Sequence, residues 1–540
     1  MTRSHMSNPA VMMLRALACL MLCGTLASAR KVVLPDHATA RKNSKHIFNA
    51  IDSAGRQWGS AIHHNGFSFI PTVIPKGTLL YHGGQSSTLP PTVEWMAFEV
   101  EHAEAFAFSQ ELPPSGQNER ATADDQGQIP LHEPRSSSHN ETRYERGYLQ
   151  TYRAYRDVNV LYLDGMSAGK TWMGTLDTQD LVLRENQSIP DWGPSFGERE
   201  RSVQICSLLA DWGYDGLMRA EIGFEIMYCD FSSGVDLVAV KRSSIHQTGL
   251  LEPYTNIFQW SRAVAERYDG LGGDRVRLDF SSLVSCYFFP IDMSNPDPER
   301  PDLHRLASAS IDELKDIKRH VKAVATTARR FTVNWQAAVD LITARYAKRL
   351  AVLANPDSPT ELFKTELTTA TQTYIDASPE PGDINKRGRE GWNETRDALL
   401  ACEKHYLLPT YLDQNRWGAQ DWLIHTALRA VMSDICSTLF LAKSVTDQGG
   451  ITGRNHDAAG GDVPLGLDQL REARTLFDEL KKRLNWSTWR RPQLCRTDEV
   501  LLTAMWPWGS DEDHWNPECR KHDVVHSWRG GYWKPDWRYR

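Results

Sequence analysis

Residues 148–175 read YLQTYRAYRDVNVLYLDGMSAGKTWMGT, and the fold turns on how this stretch is divided. Tyr148 to Tyr152 and Asn159 to Leu163 are short runs rich in aromatic and aliphatic residues, the composition of buried strands. The second run leads straight into a glycine loop. There Gly165-Met166-Ser167-Ala168-Gly169 has the G-x-S-x-G spacing of a nucleophile elbow. The same loop, Gly165 to Thr171, is one residue short of a phosphate-binding G-x-x-x-x-G-K-T, because Asp164 stands where the first glycine belongs. Either motif needs a helix directly after the loop, whose free amides and dipole hold the phosphate or the oxyanion. Beyond Thr171 the chain runs Trp-Met-Gly-Thr-Leu-Asp-Thr-Gln-Asp, with Gly174 and no helical stripe. A loop that lines a pocket or shapes a turn is therefore the preferred reading. A serine hydrolase built on Ser167 stays as an alternative, with Asp215 and several later histidines as partners that no spacing selects.

Outward from this stretch the chain falls into three textures. From Lys31 to Pro253 strands and helices alternate. Ser44 to Trp58 reads as a helix, Gly77 to Gly83 as a buried strand, and Trp95-Met96-Ala97-Phe98 as a second short strand followed by a helix from Glu101. Residues 110–146 hold too little apolar content to pack and read as a disordered insertion. A helix is expected over Glu198 to Trp212 and a strand over Gly223 to Cys229. From Tyr254 to about residue 485 the pattern is helical. Ser310 and Glu313 have capping-box spacing, and Ile311, Leu314, Ile317, Val321 and Val324 follow on one face. Phe331, Trp335, Val339, Ile342, Tyr346 and Leu350 continue that stripe as bundle core. Further helices are expected at 392–406, 419–445 and 467–484. Residues 486–540 are rich in Trp, Gly, Pro and charge.

The ends and composition restrict the setting. Arg3 and Arg15, the apolar run Ala16 to Cys23 and Ala27-Ser28-Ala29 form a signal-peptide pattern over residues 1–29, so the mature chain is expected to be secreted. That run is too short to cross a membrane, and no later stretch is long enough. A net charge of −7 gives no electrostatic case for nucleic acid or an anionic membrane. Beyond the signal, seven cysteines remain. Cys206 with Cys229, Cys402 with Cys436 and Cys495 with Cys519 are the expected pairs, leaving Cys286. Asn140, Asn186, Asn393 and Asn485 each open an N-x-S/T sequon.

Two further groupings draw attention. Cys519, His522 and His526, with His514 upstream, have zinc-like spacing, but an oxidising compartment favours a disulfide at Cys519, and no metal is expected. Eight of the 18 tryptophans follow residue 485. They suit sugar stacking or, preferably, the core of a small disulfide-stapled lobe.

One constellation carries chemistry. Tyr81-His82-Gly83, the strand at Trp95 to Phe98 with its alanine-spaced helix, the strand pair YLQTYR and NVLYLD, and Gly213-Tyr214-Asp215-Gly216 before Glu225 follow one another in the order of the ADP-ribosyltransferase-like fold, which residues 74–240 resemble. The second strand departs from that family in reading Trp-Met-Ala-Phe-Glu, and Gly223 stands where a second polar residue precedes the glutamate. Over its whole length the chain also resembles a little-characterised group of predicted secreted fungal proteins, in its LDGMSAGKT, MGTLDTQD, MWPWG and GGYW segments.

Texture and resemblance together give an α+β protein in four parts. They are the signal (1–29), an ADP-ribosyltransferase-like mixed α/β domain (30–253), a mainly helical domain (254–485) and a Trp/Cys-rich lobe (486–540). The transferase resemblance implies NAD as substrate, with ADP-ribosyl transfer or NAD hydrolysis as the reaction. Glu225 would stabilise the oxocarbenium-like state, His82 and Gly83 would hold the ribose, Trp95 or Phe98 would stack on nicotinamide, and Lys170 would meet a phosphate. A non-catalytic secreted protein that binds a protein or glycan partner is the alternative of equal standing. The expected geometric signature of catalysis is His82 and Glu225 facing one cleft.

Overall fold

The computed structural model describes residues 30, 32–107, 110–112, 143–145, 147–187, 197–242, 253–266, 270–271, 274–376, 394–448, 466–492, 494–521 and 531–533. The expected signal peptide lies outside them, as do sequon residues Asn140 and Asn393, and His522, His526, Trp528 and Trp537.

Three short helices open the chain: α1 (His37–Lys42), α2 (Ser44–Ser53) and α3 (Gln57–Ile62). The expected single helix over Ser44 to Trp58 is broken at Gly55, whose φ of +69° no helix accommodates. Strands β1 (Ser68–Ile74), β2 (Leu79–Gly84) and β3 (Glu94–Ala97) follow, then the short helix α4 (Val100–Glu104). β4 (Gln110–Leu112) pairs antiparallel with β5 (Arg143–Glu145), so the ends of the expected disordered insertion form a ladder. Residues 113–142 lie outside the described residues. β6 (Tyr148–Ala154) and β7 (Val158–Leu163) come next, then α5 (Glu198–Asp211), β8 (Gly216–Ala220), β9 (Phe224–Tyr228), β10 (Val235–Arg242) and α6 (Pro253–Glu266).

Ten strands build one sheet, in the order β10-β6-β2-β3-β9-β8-β7-β1-β11, where β11 is Arg277–Leu278 and β12 (Val284–Ser285) also pairs with β1. The expected boundary at Pro253 is thus too early: the sheet takes its last two strands from beyond it. All its pairs are antiparallel except β7 with β8, which α5 connects. Such a crossover needs a helix-length connection. β1, β8 and β9 are buried along their whole length, as strands covered on both faces must be.

The helical layer holds α7 (Ile311–Ala325), α8 (Trp335–Ala354), α9 (Thr360–Thr371), α10 (Glu394–His405), α11 (Ala419–Gln448) and α12 (Leu467–Leu484). The Ser310–Glu313 capping box is present in both directions. Phe331 does not continue the stripe. It is 44 % exposed with φ +42°, and α8 begins only after Asn334, whose side chain accepts from the Ala337 amide at 3.0 Å. α11 is the axis of this layer, contacting α1, α2, α9, α10 and α12. Because α1 and α2 pack here, the apolar side chains of sheet and helices merge into one continuous core.

The C-terminal segment comprises β13 (Glu499–Leu502), α13 (Asp511–Trp515) and β14 (Glu518–Lys521), the two strands forming a hairpin. Its tryptophans divide between the main core and a small cluster of their own. Trp486 stacks on Phe48 of α2 and on Trp489, and Trp508 meets Trp260 of α6 edge-on. Ala504, Trp506, Tyr532 and Trp533 form a satellite cluster with Met173 against it. The three expected disulfides are formed, Cys206–Cys229, Cys402–Cys436 and Cys495–Cys519, and Cys286 is a buried free thiol. No helix among the described residues is long and apolar enough to cross a membrane.

Candidate functional site

Strand register decides which side chains meet. Tyr81 pairs with Ala97, Ala97 with Glu225, and Glu225 with Arg219, so these four stand in one row on one face of β2, β3, β9 and β8. Tyr81, Gly83, Trp95, Glu225, His102 of α4 and Phe106 line a small pocket on that face. It has room for about one water-sized group, far short of the roughly 300 Å³ at which sites for larger ligands begin. Gly83 lets helix and strand approach, because a Cβ there would lie 1.9 Å from the Ala103 carbonyl oxygen.

Glu225 is 1 % exposed. Its Oε1 accepts from Arg219 Nε at 2.9 Å and lies 2.8 Å from Nη2. Its Oε2 has no hydrogen-bond partner among the described residues, nor do the buried Nδ1 of His102 and Nε1 of Trp95. Behind the pocket a fully paired ionic lattice extends from Arg219. The guanidinium also donates to Gln179 Oε1 at 3.0 Å and to Glu198. Arg201 joins Glu198 to Asp180, at 2.9 Å and 2.8 Å, and Arg184 closes on Asp180 at 3.1 Å. Lys170 Nζ meets Glu221 Oε1 at 2.7 Å. Asp180, Glu198, Glu221 and Glu225 thus balance Lys170, Arg184, Arg201 and Arg219.

Burial alone would raise Glu198, but Arg219, Lys170 and Arg201 hold it down to about 2. Burial raises Glu221 to about 7 against the pull of Lys170. Burial also lowers His102, with the Glu225 charge acting in the other direction and outweighing Lys170. His102 is the pocket's neutral imidazole.

The remaining candidates are elsewhere. Alternation along β2 turns His82 to the opposite face of the sheet from Glu225. Its Nδ1–H donates to the Trp95 carbonyl at 2.8 Å, Phe231 stands edge-on to its ring, and burial lowers its pKa. His82 and Glu225 therefore do not share the expected cleft. Phe98 is buried outside the pocket, under the Arg275 guanidinium. Lys170 is committed to Glu221 and lies over the Trp506 ring at 5.1 Å, so it meets no phosphate cradle. Ser167 is fully buried and its hydroxyl donates to the Leu163 carbonyl at 2.9 Å, so it is not an exposed hydroxyl. The glycine loop is a turn clamp: Met166 donates to the His64 carbonyl, and Asp164 accepts from the Ser68 amide. A π-helix over Thr178–Leu183 follows it. Asp215 is an anchor, accepting from both Arg156 Nη atoms and from the Asn159 amide. Cys519 is in a disulfide, and the described residues hold no metal-binding group of three His, Cys, Asp or Glu side chains.

Tyr81, His102, Phe106 and Arg219 were not among the candidates. Arg219 was legible: a hairpin turning at Ile222 pairs positions equidistant from it, which sets Arg219 against Glu225. His102 lay beside the alanines already noted, but nothing local shows which face of so short a helix meets the sheet.

Comparison with known proteins gives company rather than chemistry. Residues 37–143 and 113–257 match the family model described as the YPL277C N-terminal domain. The chain is 26 % identical over 527 residues to "Uncharacterized protein YOR389W" of Saccharomyces cerevisiae, covering 86 % of this chain and 82 % of that protein. It is 38 % identical over 214 residues to "Uncharacterized protein YPL277C" of the same yeast, covering 37 % of this chain and 43 % of that one. These likenesses support a little-characterised family. No solved structure matches the chain.

Proposed function

We propose that this is an exported, non-catalytic binding protein whose ligand enters the pocket between β2, β3, β9 and α4. The observation that carries this reading is Glu225. One oxygen is fixed by Arg219, the other is buried and without a partner among the described residues, and the pocket that Glu225 lines with His102 is water-sized rather than substrate-sized. Leaving a buried acceptor unmet costs about 1–3 kcal/mol, which a bound donor recovers. Three disulfides support an oxidising compartment.

One observation favours a second reading, an NAD-consuming enzyme on an ADP-ribosyltransferase-like fold. Gly83, Trp95 and Glu225 share one pocket. In that case Glu225 Oε2 accepts from the ribose hydroxyl, and neither His82 nor Phe98 takes part.

Turnover separates the two. Full-length mature protein is incubated with NAD and released nicotinamide is followed for wild type and Glu225→Gln. The binding reading expects no release from either. Release by wild type that Glu225→Gln abolishes would overturn it in favour of the enzyme.

A further inference from the structure

Resting on the binding reading, we infer that the pocket takes a primary ammonium group, carried by a small alkylamine or by a lysine side chain. Three features of the pocket select that chemistry. Of the polar atoms that its lining residues leave without a partner among the described residues, Glu225 Oε2, Trp95 Nε1 and His102 Nδ1, the charged one is the carboxylate oxygen, which needs an N–H or O–H donor. Its walls include the rings of Tyr81, Trp95 and Phe106, and aromatic walls around a carboxylate favour a cation over a neutral group. Its room is that of one water, which an ammonium head fills and a guanidinium or a quaternary ammonium does not.

The surrounding charges permit a cation. Arg219 is shared between two carboxylates, Glu198 and Glu225, and bonds only one oxygen of Glu225. Lys170 is taken up by Glu221, and at His102 on the pocket wall the charge of Glu225 outweighs that of Lys170. Of the lining residues Tyr81 and Phe106 are half-buried, while Trp95, His102 and Glu225 are buried. The alkyl chain behind the ammonium therefore leaves between two rings, as the stem of a lysine or a linear amine does.

The test is calorimetric titration of full-length protein with n-butylammonium chloride, n-butanol and a blocked lysine, N-acetyl-lysine methylamide. Saturable binding of n-butylammonium, with n-butanol weaker on the order of tenfold or more, is expected. Tighter binding of the blocked lysine assigns the natural ammonium to a peptide, and weaker binding assigns it to a free amine. Glu225→Gln is expected to abolish the preference for the ammonium. Because that variant disturbs the Arg219 pairing, Phe106→Ala serves as a second probe and is expected to weaken n-butylammonium by roughly tenfold while leaving the ionic lattice intact. Equal binding of butanol and butylammonium would overturn the ammonium assignment and leave the binding reading standing. Binding of none of the three would overturn the assignment, and binding that survives both substitutions would place the site elsewhere.

Discussion

At Arg219 two carboxylates depend on one guanidinium that is wholly buried. Removing one member of such a lattice leaves charge without compensation, which costs more than the lattice contributes over an apolar packing. Arg219→Met is therefore expected to lower stability by about 3–5 kcal/mol, and Arg219→Met combined with Glu198→Gln and Glu225→Gln to recover much of the loss. Urea unfolding measures both, and a single-variant loss under about 1 kcal/mol would contradict the pairing. Gly83→Ala places a methyl against the Ala103 carbonyl and is expected to cost about 1–3 kcal/mol while displacing α4 from the pocket. Near-UV circular dichroism of Trp95 and urea unfolding read the two effects. At this scale the sequence was half legible. Glu225 and Gly83 were identified by residue type and order, and both line the pocket. His82 was not separable from Tyr81 and Gly83, because a strand alternates its faces and neighbouring residues cannot share one.

Elements were more legible than single contacts. Ser310 and Glu313 mark the start of α7 through local chemistry alone, and Ser310→Ala is expected to cost about 0.5–2 kcal/mol in thermal or urea unfolding. The Cys402–Cys436 bridge ties α10 to α11, and replacing both by serine is expected to cost about 2–5 kcal/mol, with the loss absent when wild type is compared after reduction. Three other readings failed for reasons outside their windows. β11 and β12 are two-residue strands that exist only because β1 offers an edge to them. The β4–β5 ladder joins segments thirty residues apart in an apolar-poor region. Gly55 sits inside an apolar helical pattern, yet its positive φ ends α2.

For the whole molecule the decisive quantity is how many neutral groups the single core buries. His46, His63, His64, His82, His102, His304, His320, His425 and His514 all have lowered pKa values, with burial as the first cause; His63 and His425 fall to about 4 and His64 to about 3. A histidine lowered on folding adds stability that is full above its unfolded value near 6.5 and is lost as pH falls towards its folded value. Glu94, Asp164 and Glu221, each raised to about 7 by burial, act in the opposite sense over nearly the same range. With nine groups against three among the described residues, the urea midpoint is expected to fall between about pH 6.5 and pH 4. A flat or rising midpoint would contradict it. The seat of Tyr532 shows the cause locally. His514 stacks on its ring at 4.2 Å, His64 Nε2 lies 2.8 Å from its hydroxyl, and Arg300 and Arg490 stand nearby, so added protons meet positive charge. The merging of sheet and helices into one core, with Trp486, Trp489 and Trp508 packed into it, was not legible from texture along the chain, because composition reports segments and packing joins them.

The central claim is that Glu225 presents one oxygen to a pocket built for a donor. The most direct measurement is a crystal structure at atomic resolution of the full-length protein grown with n-butylammonium. The account predicts a nitrogen within about 2.7–3.1 Å of Glu225 Oε2, between the rings of Tyr81, Trp95 and Phe106. A protein donor bonded to Oε2, with the pocket closed by side chains, would contradict it.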